Sequence, residues 1–361
     1  MINLSSLLSP FLETIVVNPI YDQERLKYIQ KNRSKITEEL RSKGVSKNLA
    51  SLEGQINKLR RKKTPSIVLN CHYTDDGRQV VNGYGRLQPK GLNDVAMVQI
   101  TRPIRQFLVR HVATDIDIKN AHPEFMNILY RHLFGKQLVA LDTWNKTRED
   151  IFRLVIAKSS KTIDRDGAKS LSFIFMYDGS ISYRFEELGL DIKDPELQNV
   201  VNLMTDLKKA SADIATVMER DYSNFWNNLH IKEDKAEDRE MASKLSQLFQ
   251  QIEKQVVIVM YNVAKTHGFQ VLDICHDGML VSKDNRPLLA EEAHTFITAC
   301  QMAIKSAYGM DLVITAKDMD DKYADTLEKT FHSGSSKHIV IHDDQEAVDI
   351  FKSRYAGRLV Y

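Results

Sequence analysis

The stretch Arg165-Asp-Gly-Ala-Lys169-Ser-Leu-Ser-Phe173-Ile-Phe-Met-Tyr177-Asp178-Gly179 sets four chemically distinctive side chains at four-residue spacing. In a helix that spacing puts Arg165, Lys169, Phe173 and Tyr177 along one slowly drifting face. Two cations followed by two aromatics make an odd core stripe. They suit a nucleoside triphosphate, with the cations against its phosphates and the rings against sugar and base. An ordinary amphipathic helix accounts for the same pattern, so the segment must be read with its surroundings.

Carboxylates stand on either side of it. Asp115 and Asp117 lie two apart in a β-branched stretch from Val109 to Ile118, read as a strand, and so share a face. Asp277 sits in His276-Asp277-Gly278, between the β-type segments Phe269 to Cys275 and Met279 to Ser282, which read as a hairpin with its tip at or just past the Asp. Phosphoryl transfer by two metal ions about 3.5 to 4 Å apart requires carboxylates held on rigid neighbouring elements. Aspartates at strand ends and turns also serve purely structural ends.

The rest of the chain alternates helix and strand. Apolar residues at three- and four-residue spacing predict one or two helices over 21–63, broken at Gly44. Ser66 to Tyr73 and Arg78 to Val81 flank the turn signal Asp75-Asp76-Gly77 and predict a hairpin. Pro123 suits the first turn of a helix running to Leu133. Residues 145–177 and 195–228 read as helical, and Lys232 to Glu240 as a solvated charge run. A long helix from Met241 to Thr266 ends at the cap residue Gly268. Residues 290–361 alternate helix and strand without an obvious motif.

Composition excludes several classes. No stretch approaches the roughly 18 consecutive apolar residues of a membrane span. The N-terminus lacks a basic start followed by an apolar run, so an intracellular location and no membrane partner are expected. Cys71, Cys275 and Cys300 lie far apart, which argues against a disulfide framework or a thiolate zinc site. The net charge of +2 hides an asymmetry: 13 Lys or Arg stand against three Glu between Arg25 and Lys63, ending in Lys58, Arg60, Arg61, Lys62 and Lys63. Such an arm suits a polyanion, though a solvated helix face explains it equally. From Lys317 to Asp349 nine acidic residues oppose four basic ones.

Four blocks in order resemble the family A DNA polymerases, those like bacterial DNA polymerase I, and the related single-subunit RNA polymerases. Gly85-Arg86-Leu87 looks like the element whose Arg touches the primer–template minor groove, and Ile104-Arg105-Gln106 like the segment before the first catalytic strand. Asp117-Ile-Lys-Asn-Ala-His122-Pro is similar to motif A, with the metal-binding Asp first and the sugar-sensing gate five positions later. The Arg-Lys-Phe-Tyr pattern resembles motif B with Asp178 inserted before Gly179, and Cys275-His276-Asp277-Gly278 resembles motif C with Gly278 in place of Glu. The separations, 48 residues from Asp117 to Arg165 and 100 from Tyr177 to Asp277, are of the size this family uses.

The resemblance implies an α+β right-hand polymerase with an antiparallel-sheet palm, helical fingers and a reduced basic thumb. Its parts would be a thumb-like region at 1–65, palm at 66–140, fingers at 141–228 with the motif B helix near 160–178, and the second part of the palm with a C-terminal extension at 229–361. Asp117 and Asp277 would bind two Mg²⁺, or Mn²⁺, with the Ile118 carbonyl as a further ligand and Asp115 as the alternative to Asp117. Arg165 and Lys169 would hold the triphosphate, Lys169 also protonating the leaving pyrophosphate. Phe173 would pack on the sugar, Tyr177 would mark the insertion site and His122 would be the gate. Arg86, His276, Arg105 and the basic run 58–63 would face primer and template.

The family usually has Glu at the gate in DNA polymerases and Gly in RNA polymerases. A bulky His122 would obstruct a ribose 2′-hydroxyl, so deoxynucleotides are the expected substrate. Only 84 residues precede Gly85-Arg86-Leu87, too few for a proofreading exonuclease and a full thumb. The expectation is a stripped-down DNA polymerase of viral or mobile-element type, working on a primed DNA template with dNTPs, with room for an accessory protein that supplies processivity. An RNA polymerase or primase, a catalytically silent nucleic-acid-binding protein and a metal-dependent nuclease are the alternatives.

Overall fold

The computed structural model describes residues 2–20, 22–42, 54, 66–75, 78–90, 99–230 and 240–335. Its first sheet holds β1 (Ile15–Val17), β2 (Ile67–Asp75), β3 (Arg78–Val81) and β4 (Leu87–Pro89), in the order β1-β2-β3 with β4 also on β2. The hairpin expected at 66–81 is β2 and β3, while β1 and β4 join it from segments with too few residues to signal a strand. The second sheet runs β6-β7-β5-β8, from β5 (Thr114–Ile118), β6 (Gln270–Cys275), β7 (Gly278–Ser282) and β8 (Ile314–Lys317). Every pairing in both sheets is antiparallel.

Strand alternation lets the second sheet serve two cores. Ile116, Ile118, Met279 and Val281 join the larger one, which takes in the helices Ala121–Phe134, Gln198–Asp221, Glu240–Thr266 and Ala290–Tyr308. Leu272 and Leu280 face the other way. They meet Leu26, Ile29, Ile36 and Leu40 of the N-terminal helices, Ile104, Phe107 and Leu108 of Arg102–Val109, and Leu327 of Lys322–Ser335. Among the described residues no helix is long and apolar enough to cross a membrane.

Three boundaries differ from the sequence expectations. The N-terminal helices are Gln23–Lys31 and Arg33–Ser42, so the break falls at Asn32, whose side-chain amide donates to the Tyr28 carbonyl at 2.9 Å. Gly44 and the basic run Lys58, Arg60, Arg61, Lys62 and Lys63 lie outside the described residues. Arg25, counted in the basic arm, is buried and ion-paired with Asp22 and Glu328. The strand expected from Val109 begins only at Thr114, because Pro103 opens a helix whose Ile104, Phe107 and Leu108 bury one face. The third difference, in the motif B segment, belongs to the site.

The long helix Glu240–Thr266 buries charge as well as apolar surface. Lys254, only 2% exposed, donates from Nζ to the Gly83 carbonyl at 2.5 Å and to Gln251 Oε1 at 2.6 Å. Burial lowers its ammonium from 10.5 to about 8. Between those values the unfolded chain keeps a proton that the folded chain has released, so this residue's contribution to stability rises with pH. Across that window, wild type is expected to gain about 3 kcal/mol relative to Lys254→Met, at 1.36 kcal/mol per pKa unit. Urea unfolding of both proteins at pH 7.5 and 10.5 measures the gain, and a constant difference would refute it.

Candidate active site

Strand pairing brings the distant aspartates together. Asp117 is the register partner of Gly278, and Ile118 N–H donates to the Asp277 carbonyl at 3.0 Å. Residues His276 and Asp277 form the two-residue turn between Cys275 and Gly278, with His276 in the left-handed region at φ 56°. The approach depends on the missing side chain of Gly278. A Cβ there would stand 2.3 Å from the Ile116 carbonyl oxygen and 3.0 Å from both Cα and Oδ1 of Asp117.

Burial and mutual repulsion both act on the pair. Burial, then the neighbouring Asp277 charge, push the Asp117 carboxyl up to about 7 against the opposing pull of Lys317. Burial also raises Asp115, which shares the face of Asp117. Lys317 on β8 is the register partner of Asp115, and its Nζ reaches the Asp117 carboxylate. Carboxylates this close repel one another when charged, and their oxygen donors would suit a hard cation such as Mg²⁺ or Mn²⁺. Among the described residues no group of three or more His, Cys, Asp or Glu is placed to hold a metal ion.

The segment that resembles motif B is two short helices, Arg165–Lys169 and Ser172–Met176, where one continuous helix was expected. Between them the backbone tightens to three-residue hydrogen bonds: Ser170 N to Gly167 O at 3.0 Å, Leu171 N to Ala168 O at 3.1 Å and Phe173 N to Ser170 O at 3.0 Å. Ser170 Oγ donates to Gly167 O at 2.6 Å and Ser172 Oγ to Lys169 O at 2.9 Å, so hydroxyls compete for carbonyls the helix would use. The inserted Asp178 takes the left-handed position at φ 51° and pairs with Lys208 at 3.0 Å. Gly179 N–H then closes the end on the Ile174 carbonyl at 2.8 Å.

Despite the break, the segment faces the carboxylates across one cleft of about 570 Å³. Asp115, Asp117, Ile118, His122 and Asp277 line it from the second sheet and the following helix. Arg165, Lys169, Phe173 and Tyr177 line it as well, and so do Arg86, Arg105 and His276. Every sequence-predicted site residue within the described part therefore meets in one place. Eight Lys or Arg against six Asp or Glu give the walls an excess of positive charge.

The individual side chains differ in readiness. Lys169 is exposed and has no charged partner among the described residues, whereas Arg165 is held by Glu149 in a forked pair at 2.9 and 2.6 Å. Phe173 is 45% exposed and stacks on Tyr177 with ring centroids 5.7 Å apart. Burial raises the Tyr177 hydroxyl to about 12, so it is a proton donor at neutral pH. Burial lowers the His276 imidazole, with the Arg86 charge acting in the same direction.

No protein-family model matches the chain. It is similar to a putative helicase of the Sputnik virophage, 27% identical over 201 residues that make up 54% of this chain and 24% of the relative. Among solved structures it is similar to the POL domain of Pol1 from M. smegmatis in complex with DNA primer-template and dNTP, at 15% identity and TM-score 0.45. That alignment covers 74% of this chain and 49% of the other. The chain thus spans about a quarter of the curated relative and about half of the solved structure.

Several cleft residues escaped the sequence reading. Lys317 had no local signal, since only the pairing of β8 with β5 brings it to Asp117. Glu253 did have one: it interrupts the four-residue apolar stripe Phe249, Val257 on the long helix with a carboxylate. Arg102, Lys119 and Arg148 also line the cleft, and Arg148 donates to the Asn120 side chain beneath the Asp117 strand.

Proposed function

We propose that this chain is a template-directed nucleotidyltransferase that extends a primer 3′-hydroxyl with deoxynucleotides, in the manner of the family A DNA polymerases. The observation that carries the reading is the shared cleft. Carboxylates 160 positions apart, Asp117 and Asp277, lie in it opposite Lys169, Phe173 and Tyr177. A nuclease would need the carboxylates alone, and a silent scaffold would need neither wall.

Asp117 and Asp277 would hold divalent ions, with the Ile118 carbonyl as a further ligand and Asp115 beside them. Such ions, when bound, stabilise the charge on attacking and leaving oxygens. The protein's own groups do the rest. Lys169 Nζ and Arg165, once released from Glu149, bind the triphosphate, and Lys169 Nζ can pass a proton to the leaving pyrophosphate oxygen. Phe173 and Tyr177 offer ring faces to sugar and base. Arg86, Arg105 and His276 orient the primer end. Lys31, Arg33 and Lys35, exposed on the N-terminal helices, and the basic run to Lys63 would grip duplex phosphates.

Likeness to a virophage protein supports a role in replicating viral or mobile-element DNA. A helicase motor in this chain is less well supported, because its sequence contains no Gly-x₄-Gly-Lys-Ser/Thr phosphate loop. Primer extension with Mg²⁺ and dNTPs on a primed DNA template tests the reading. Absence of extension with either dNTPs or NTPs would overturn it. Sugar choice has its own test. His122→Gly opens the space a 2′-hydroxyl would need, and is expected to raise relative ribonucleotide use about 10- to 200-fold. Competition between NTPs and dNTPs measures this, and an unchanged ratio would remove His122 from the gate.

A further inference from the structure

We propose that Glu253 is the positioning residue behind the sugar gate: its hydrogen bond to His122 holds the imidazole against Tyr177 and sets how strongly a ribose is excluded. This rests on the polymerase reading above. Glu253 is 2% exposed, on a helix that neither contributes to the carboxylate pair nor belongs to the motif B segment. A buried carboxylate is costly unless fully paired. Here both partners are cleft residues: His122 Nε2 lies 2.8 Å from Oε2, while Arg86 donates to Oε1 at 2.8 Å and to Oε2 at 3.3 Å.

The pairing dictates the orientation of the imidazole. An ionised carboxylate only accepts, so His122 Nε2 carries the hydrogen that points at Glu253. Burial pushes the Glu253 carboxyl up, but the His122 hydrogen bond and the charges of His122 and Arg86 outweigh it and hold the group below its usual range. Nδ1, on the other side of the ring, is hydrogen-bonded to the Tyr177 hydroxyl at 2.6 Å. Both nitrogens are committed, so rotation of the ring would break both bonds. Phe249 at 5.6 Å and Phe125 at 6.2 Å confine it further.

Three elements thus converge on one imidazole: Glu253 from the long helix, Tyr177 from the end of motif B, and His122 itself at the start of Ala121–Phe134. A gate that excludes one hydroxyl must be held to within a fraction of an ångström. Without the carboxylate, His122 keeps only the Tyr177 bond, and the ring can turn away from the sugar side.

The test is single-nucleotide kcat/KM for a dNTP and its rNTP counterpart, in wild type, Glu253→Gln, Glu253→Asp, His122→Ala and the Glu253→Gln/His122→Ala double variant. Glu253→Gln is expected to lower dNTP-over-rNTP discrimination about tenfold, and to have no further effect on discrimination once His122 is Ala. A purely structural role would lower both substrates alike and leave their ratio unmoved. Glu253→Asp keeps the charge but shortens its reach, so it should lower discrimination even if the Gln variant does not fold. Unchanged discrimination in the folded variants, or an equal effect in the His122→Ala background, would overturn the proposal while leaving the polymerase reading intact. A wild-type protein that extends no primer would overturn that reading first, and this one with it.

Discussion

Asp117→Asn and Asp277→Asn are each expected to cut primer extension by at least about 10³-fold, the size of losing several kcal/mol of transition-state charge stabilisation. The fold should not suffer in parallel. The folded Asp117 carboxyl retains its proton to about pH 7, whereas the ordinary value is 3.8. Ionising it therefore costs folding free energy, and the contribution of this group falls as pH rises through that window. Asn removes the charge and its repulsion from Asp277. At pH 8 the Asp117→Asn protein should melt no lower than wild type, even though Lys317 loses its partner. Extension rates and thermal melts on the same preparations separate the outcomes. An active Asp117→Asn enzyme would dismiss the carboxylate pair as the catalytic centre. A strong drop in melting temperature would mean instead that the pair stabilises the sheet.

Gly278→Ala tests the same pair through the backbone. The added methyl would overlap the Ile116 carbonyl at 2.3 Å, and a carbonyl in a paired strand cannot swing aside as a side chain can. Pairing of β5 with β7 must open locally, which moves Asp277 away from Asp117. Displacements of about 1 Å at a reacting centre cost on the order of 10²-fold in rate. The expected result is such a loss, with about 1 to 3 kcal/mol of destabilisation. Wild-type extension by Gly278→Ala would show that the carboxylates tolerate wider separation than the site supposes. In this register there is no room for a side chain at position 278.

Local chemistry in the sequence carried the site a long way. The Arg165–Tyr177 spacing, the two-residue separation of Asp115 and Asp117 and the turn at His276-Asp277 all depend on short-range periodicity, which side-chain direction makes legible. Boundaries were less legible where tertiary packing overrides local preference. The β-branched run from Val109 reads as strand, yet its first residue closes a helix that buries Ile104, Phe107 and Leu108. The motif B stretch reads as one helix, yet the Ser170 and Ser172 hydroxyls bond carbonyls within it and the turn tightens.

By itself, the sequence determined which residue types could carry the chemistry and the order in which they occur, because both are properties of the chain alone. Their convergence is a property of the fold. Register between β5 and β7 puts Asp117 beside Gly278, so the carboxylates meet only because a glycine lets two backbones touch. Pairing of β8 with β5 delivers Lys317, and the packing of the long helix delivers Glu253 to His122. Contacts between residues more than a hundred positions apart leave no periodic trace in a single chain. Only the paired strands and the packed helix decide that Tyr177, His122, Glu253 and Arg86 form one hydrogen-bonded line.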